Sequence, residues 1–176
     1  GKCRYFGDKI SPRYMLSELL LAGLYLVMIL RFGLTFEALR AIVLVSVLFT
    51  LSLVDLEIYE IPNGFILFGI IWWAVCLPLM GEPIPDQLVK GLIGGGVIAG
   101  AVLLVSLIFD KLLGKESMGG GDIKLFFMTG LYLGIGVSLF NLILSCILGL
   151  VFVAVLKSKK IPFGPAMSAG TVISLL

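Results

Sequence analysis

The stretch LFFMTGLYLGIGVSLFNLILSCILGLVFVAVL, Leu125 to Leu156, holds 32 consecutive residues without a charge. As one α-helix at 1.5 Å per residue it would be about 48 Å long, against a hydrocarbon core of about 30 Å. It is therefore read as two membrane spans, broken between Gly134 and Asn141, the first of them short. Five further apolar segments surround it: Tyr14 to Leu30, Leu34 to Val54, Gly64 to Met80, Gly91 to Phe109 and Ile161 to Leu176. Glu37 and Arg40 occupy the first turns of the second, so its apolar part begins near Ala41. The expectation is an all-α, polytopic membrane helical bundle of about seven transmembrane segments, with residues 1–176 forming a single domain.

Composition agrees. Hydrophobic residues make up 60% of the 176 and charged residues 14%, where soluble chains have about 45–50% and 25%. Mean hydropathy is +1.16. A chain this short cannot hide that excess inside a water-facing globule, so it faces lipid. There is no histidine. That excludes Ser-His-Asp and Cys-His catalysis and metal sites built on imidazole, and no metal is expected. Cys76 and Cys146 lie in apolar runs and read as small hydrophobes, while Cys3 lies in a polar stretch, so no disulfide framework is expected. The net charge of +2 says little about partners; no nucleic-acid partner is expected, and the oligomeric state is left open. The chain begins at Gly1 without a signal-peptide pattern, and residues are expected to precede it.

Cationic residues orient the bundle. With seven spans, Lys2, Arg4, Lys9, Arg13, Lys111, Lys115, Lys124, Lys157, Lys159 and Lys160 fall on one side; Arg31, Arg40 and Lys90 fall on the other. The first side is then cytoplasmic. Merging Leu125 to Leu156 into one span would move the last three lysines across. The same orientation puts Asp55 to Asn63 and Asp110 to Lys124 together on the cytoplasmic side. Glycines at Gly91, Gly95, Gly96 and Gly100 read as small residues that let helices pack closely in lipid.

Those two connections hold the unusual chemistry. In Asp55-Leu56-Glu57-Ile58-Tyr59-Glu60-Ile61-Pro62-Asn63, Asp55 follows an apolar run directly, at the membrane boundary. Ionisable groups at that depth are costly and mark function. Pro62 biases Ile61 toward an extended form. In Met118-Gly119-Gly120-Gly121-Asp122-Ile123-Lys124, three consecutive glycines disfavour helix, allow positive φ and permit close backbone approach. Irregular backbone around them is expected. The pattern of a nucleotide-binding loop is absent. Two carboxyl groups held close together share a proton and titrate as a pair. The ionised one can take a proton from water as the water attacks a peptide carbonyl. The protonated one polarises that carbonyl.

Asp55-Leu56 with Ile61-Pro62-Asn63, and Met118-Gly119-Gly120-Gly121-Asp122-Ile123-Lys124-Leu125, resemble the two signature regions of the type IV prepilin peptidases, membrane aspartic peptidases of the Gly-x-Gly-Asp type. Ile161-Pro162-Phe163-Gly164-Pro165 resembles their last-helix motif. Gly1-Lys2-Cys3-Arg4-Tyr5, Ile10-Ser11-Pro12-Arg13-Tyr14 and Glu18-Leu19 resemble the end of their cytoplasmic domain and the helix after it, making residues 1–13 a remnant of that region. The resemblance implies Asp55 and Asp122 as the catalytic pair, in a loop whose backbone is Gly119, Gly120 and Gly121. It implies a bacterial inner-membrane enzyme that cuts the basic leader from a prepilin or pseudopilin at the cytoplasmic face. S-adenosylmethionine would serve only if methylation of the new amine is retained; proteolysis needs no cofactor. Two departures bear on methylation and zinc: Cys3 is followed three residues later by Phe6 rather than Cys, and no counterpart of the family's additional N-terminal helix occurs between Gly1 and Leu176.

Glu57, Glu60 and Glu116 are candidate contacts for a basic leader, an attraction that salt screens beyond roughly 8–10 Å. Lys124 is a candidate support for the pair or an anchor at the headgroups, and Glu18 is either structural or tied to methylation. The rival expectation is a proton- or cation-coupled transporter using the same acids.

Overall fold

The computed structural model describes residues 11–114, 118–156 and 163–176. Six helices follow in order: α1 (Pro12–Phe32), α2 (Phe36–Ile58), α3 (Asn63–Cys76) with a 3-10 turn at Leu77–Leu79, α4 (Ile84–Leu113), α5 (Gly120–Leu156) and α6 (Gly164–Leu175). No strand occurs among the described residues, so the all-α expectation holds there. α1, α2, α4 and α5 are long and apolar enough to cross a membrane; α3 with its 3-10 turn and α6 are shorter. The protein is a helical membrane protein.

Local chemistry sets the helix ends. The Ser11 side chain accepts from the Arg13 N–H at the start of α1, and Thr35 from the Ala38 N–H at the start of α2, satisfying amides that the first turn leaves open. α4 ends on Gly114 at φ 64°, in the left-handed geometry common after helix ends. α5 is broken at Gly134, with φ 67° and ψ 176°. That conformation is available essentially only to glycine, and it lies at the start of the expected interval.

The core joins Leu44, Leu48 and Leu51 of α2 to Ile98 of α4, Phe126 of α5 and Met167 of α6. α1 lies against α2 through Met28, Ala41 and Val45, and its Tyr25 hydroxyl meets Ser46 Oγ at 2.6 Å. The outward faces carry exposed Leu19, Leu30, Ile143 and Leu150, as a lipid-facing surface requires.

The glycine seam differs from its sequence pattern. A Cβ on Gly94 would sit 2.7 Å from the Gly130 carbonyl oxygen, and one on Gly95 2.6 Å from that of Phe127. These two bring α4 onto α5, and Gly91 packs against Trp73. Gly96 and Gly100 meet nothing within 4 Å. The spacing selected the right helix but missed Gly94, because which face turns toward α5 is set by tertiary packing.

Polar side chains fasten α6. Asn141 Nδ2 donates to Thr171 Oγ1 at 3.1 Å, Ser145 Oγ to Asn141 Oδ1 at 3.2 Å, and Ser168 Oγ to the Leu48 carbonyl at 3.1 Å. All four side chains are buried, where satisfied hydrogen bonds specify one arrangement.

Candidate active site

Asp55 occupies the last turn of α2 and is 5% exposed. A carboxyl group that deep needs hydrogen bonds. It receives one from α6: the Gly164 N–H donates to Asp55 Oδ2 at 2.8 Å. Gly164 opens α6, where amides have no partner within the helix and the dipole favours negative charge. A side chain would not fit there. A Cβ on Gly164 would lie 2.8 Å from Asp55 Oδ2 and 3.2 Å from its Cβ and Cγ. The absence of a side chain at residue 164 is what admits the carboxyl.

Asp122 sits in the first turn of α5. Its carboxyl turns back toward Gly119, where an added Cβ would lie 3.4 Å from Asp122 Oδ2, and it lies near enough to Asp55 for the two carboxyl groups to influence each other. The structure thus brings both sequence-predicted aspartates to one end of the bundle, within electrostatic reach of each other.

The glycine run corrects one expectation. Gly120 and Gly121 are helical residues of the first turn of α5, and only Gly119 lies outside it. None of the three has a positive φ. Helix is tolerated because this is an end, where the Asp122 N–H closes onto the Gly119 carbonyl at 3.0 Å. Close approach is what the run provides: a Cβ on Gly121 would stand 3.0 Å from the Ile61 Cβ. Ile61 belongs to the connection after Asp55, so Gly121 packs one signature segment against the other.

Lys124 Nζ donates to Asn63 Oδ1 at 2.9 Å, clipping the start of α5 to the start of α3. Glu57 and Glu60 are exposed at the same end. Glu116 lies outside the described residues, as do residues 1–10 and Ile161-Pro162 of the last-helix stretch.

Beside Asp122 a cleft of about 580 Å³ opens between α4, α5 and the residue before α6. Val102, Phe109, Phe126 and Phe163 make it mainly apolar, with Ser106 and Asp122 as polar points on its wall. The Phe163 and Phe126 rings pack at 6.2 Å between centroids. Of the two aspartates, Asp122 borders this cleft.

Residues 42–154 match the type IV leader peptidase family. The chain belongs to the type IV leader peptidase family. It is 32% identical to a prepilin leader peptidase/N-methyltransferase of Bacillus subtilis, with all of this chain aligned to 71% of that protein. Against proteins of the same name from Aeromonas salmonicida and Neisseria gonorrhoeae the identities are 36% and 30%, covering 100% and 96% of this chain but 62% and 59% of theirs. The chain thus spans about six to seven tenths of the length of these relatives. No solved structure matches it.

Within this leader peptidase family member, the matched region covers both aspartates but ends before Gly164. In Phe163-Gly164-Pro165 no residue type announces chemistry. Its contribution is a backbone N–H and a missing side chain, and the one signal available was a glycine directly before a proline at a helix start.

Proposed function

We propose that this chain is a membrane aspartic endopeptidase that removes basic leaders from type IV prepilins or pseudopilins. The observation that carries the proposal is the clamp on Asp55: the first amide of α6 holds a buried carboxyl group at the same end of the bundle as Asp122. One carboxyl ionised and one protonated is the favoured state of such a pair. The ionised group takes a proton from water while the water oxygen attacks the scissile carbonyl carbon. The protonated group donates a hydrogen bond to the carbonyl oxygen as it becomes an oxyanion. Collapse of the tetrahedral intermediate breaks the C–N bond, and a proton passes to the leaving amine.

In this proposal the helices make seven crossings: α1, α2, α3 with its 3-10 turn, α4, the two parts of α5 on either side of Gly134, and α6. With seven crossings, ten of the thirteen lysines and arginines fall on the side of the dyad by their order in the sequence, which favours a cytoplasmic active site. A basic leader meets Glu57 and Glu60 there, with Glu116 as a third candidate. The apolar segment following the leader fits the cleft bordered by Phe109, Phe126 and Phe163. The relatives' names also carry N-methyltransferase; S-adenosylmethionine would serve here only if that activity is retained, and the proposed cleavage needs no cofactor. A carrier would be expected to place its acids near mid-membrane between interrupted helices; here both acids sit at one end.

The test uses purified protein in detergent with a synthetic prepilin N-terminal segment, followed by mass spectrometry. A single cut releasing the basic leader is expected. No cut, together with acid-dependent proton flux in liposomes, would favour the carrier instead.

A further inference from the structure

A second polar site lies at the opposite end of the bundle. Arg40 is on the second turn of α2, 15 residues before Asp55, or about 22 Å along a helix at 1.5 Å per residue. Its guanidinium lies over the Tyr132 ring, 4.9 Å from the centroid, a favourable cation–π arrangement. The Tyr132 hydroxyl donates to the Gly69 carbonyl at 2.6 Å and holds that ring in place. Arg40 Nε is buried with no hydrogen-bond partner. Among the described residues the one ion pair is Lys90 to Glu82, at 3.3 Å and exposed, so no carboxylate neutralises Arg40 by direct contact. A buried N–H of a charged group without an acceptor is costly.

Two cavities meet at this guanidinium. One, of about 250 Å³, is polar, with Glu37, Glu82, Gln87 and Lys90 around Arg40 and with Trp73 in its wall. That is several times the roughly 30 Å³ share of a water molecule, so it admits more than one bridging water. The other, of about 130 Å³, is mainly apolar, bordered by Phe32, Ala41, Leu44 and Leu175. Both are bordered by Glu37, Arg40, Met80 and Tyr132. A polar chamber joined to an apolar crevice across one arginine is the shape of an amphipathic ligand.

We infer that this junction binds a phospholipid, with the phosphate on Arg40 and the first few methylenes of an acyl chain entering the apolar crevice. The planar guanidinium fork suits phosphate oxygens. Two cations and two carboxylates face the polar cavity, so its charge is balanced. A zwitterionic headgroup of the phosphoethanolamine type matches that balance, its ammonium toward Glu37 and Glu82. The inference rests on the chain lying in a bilayer and is independent of the proteolytic reaction.

The experiment uses the full chain in neutral detergent, with Trp72→Phe so that emission reports mainly Trp73. It is titrated separately with phosphatidylethanolamine, phosphatidylglycerol and inorganic phosphate. Saturable change with phosphatidylethanolamine is expected, at least fivefold tighter than with phosphatidylglycerol. Arg40→Gln should weaken it at least tenfold and Arg40→Lys by less, while Glu37→Gln should narrow the preference between the two lipids. Equal affinity for the two lipids would overturn the zwitterionic assignment. Saturation by inorganic phosphate alone, with the same Arg40 dependence, would make free phosphate the ligand and overturn the lipid. No saturable response in the protein that keeps Arg40, with its fold checked by thermal unfolding against the unsubstituted chain, would overturn the site altogether, as would undiminished binding by Arg40→Gln.

Discussion

Replacing Gly164 by alanine tests how Asp55 is held. The added Cβ would stand 2.8 Å from Asp55 Oδ2 and 3.2 Å from Cβ and Cγ. Ordinary contact begins near 3.4 Å, so either the carboxyl group retreats by about half an ångström or more, or the start of α6 does. In both cases the 2.8 Å bond from the Gly164 N–H lengthens or breaks. A hydrogen bond to a charged group contributes about 1.5–3 kcal/mol, and overpacking a filled site costs about 1–3 kcal/mol. Misplacement of a reacting group by about 1 Å can cost on the order of 100-fold in rate. Cleavage of a leader peptide by Gly164→Ala should therefore show kcat reduced about 30- to 100-fold with KM within about threefold. Gly94→Ala is the companion, because its Cβ would strike the Gly130 carbonyl at 2.7 Å in the α4–α5 seam. It should lower thermal stability by a similar energy while the folded enzyme keeps its kcat. Wild-type kcat in Gly164→Ala, or an equal loss of kcat in Gly94→Ala, would refute the clamp.

Other outcomes follow from the same geometry. Glu57→Lys with Glu60→Lys, both at exposed positions, should raise KM for a basic leader severalfold at low salt and much less at high salt, since screening acts beyond roughly 8–10 Å; salt-independent kinetics would exclude them as leader contacts. Asn141→Ala removes the bond to Thr171 and leaves Ser145 without its acceptor. It should cost about 1–3 kcal/mol by thermal unfolding in detergent, and unchanged stability would mean α6 is not held there.

Much of the architecture was readable from apolar run lengths, including the break now seen at Gly134, where an uncharged stretch is too long for one crossing. The two aspartates could be assigned to one end because helix count and lysine placement constrain sides. What escaped was carried by the backbone or by partners distant in sequence. Gly164 acts through an N–H that almost every residue has. Gly94 differs from Gly96 only in the face it turns to α5. Arg40 meets Tyr132 across 92 positions, and no local pattern links them. The helical state of Gly120 and Gly121 was missed because intrinsic propensity weighs little in a first turn that other elements hold in place.

The central claim is that two carboxyl groups, and no other nucleophile or base, carry the reaction. Its most direct test is the cleavage rate of a prepilin leader peptide by wild type beside Asp55→Asn and Asp122→Asn, with folding checked by thermal unfolding. Asparagine keeps the shape and removes the ionisable group. Loss of at least about 1,000-fold in each single variant, and no greater loss in the double variant, is expected of residues acting as a unit. Substantial cleavage by either folded variant would contradict the account.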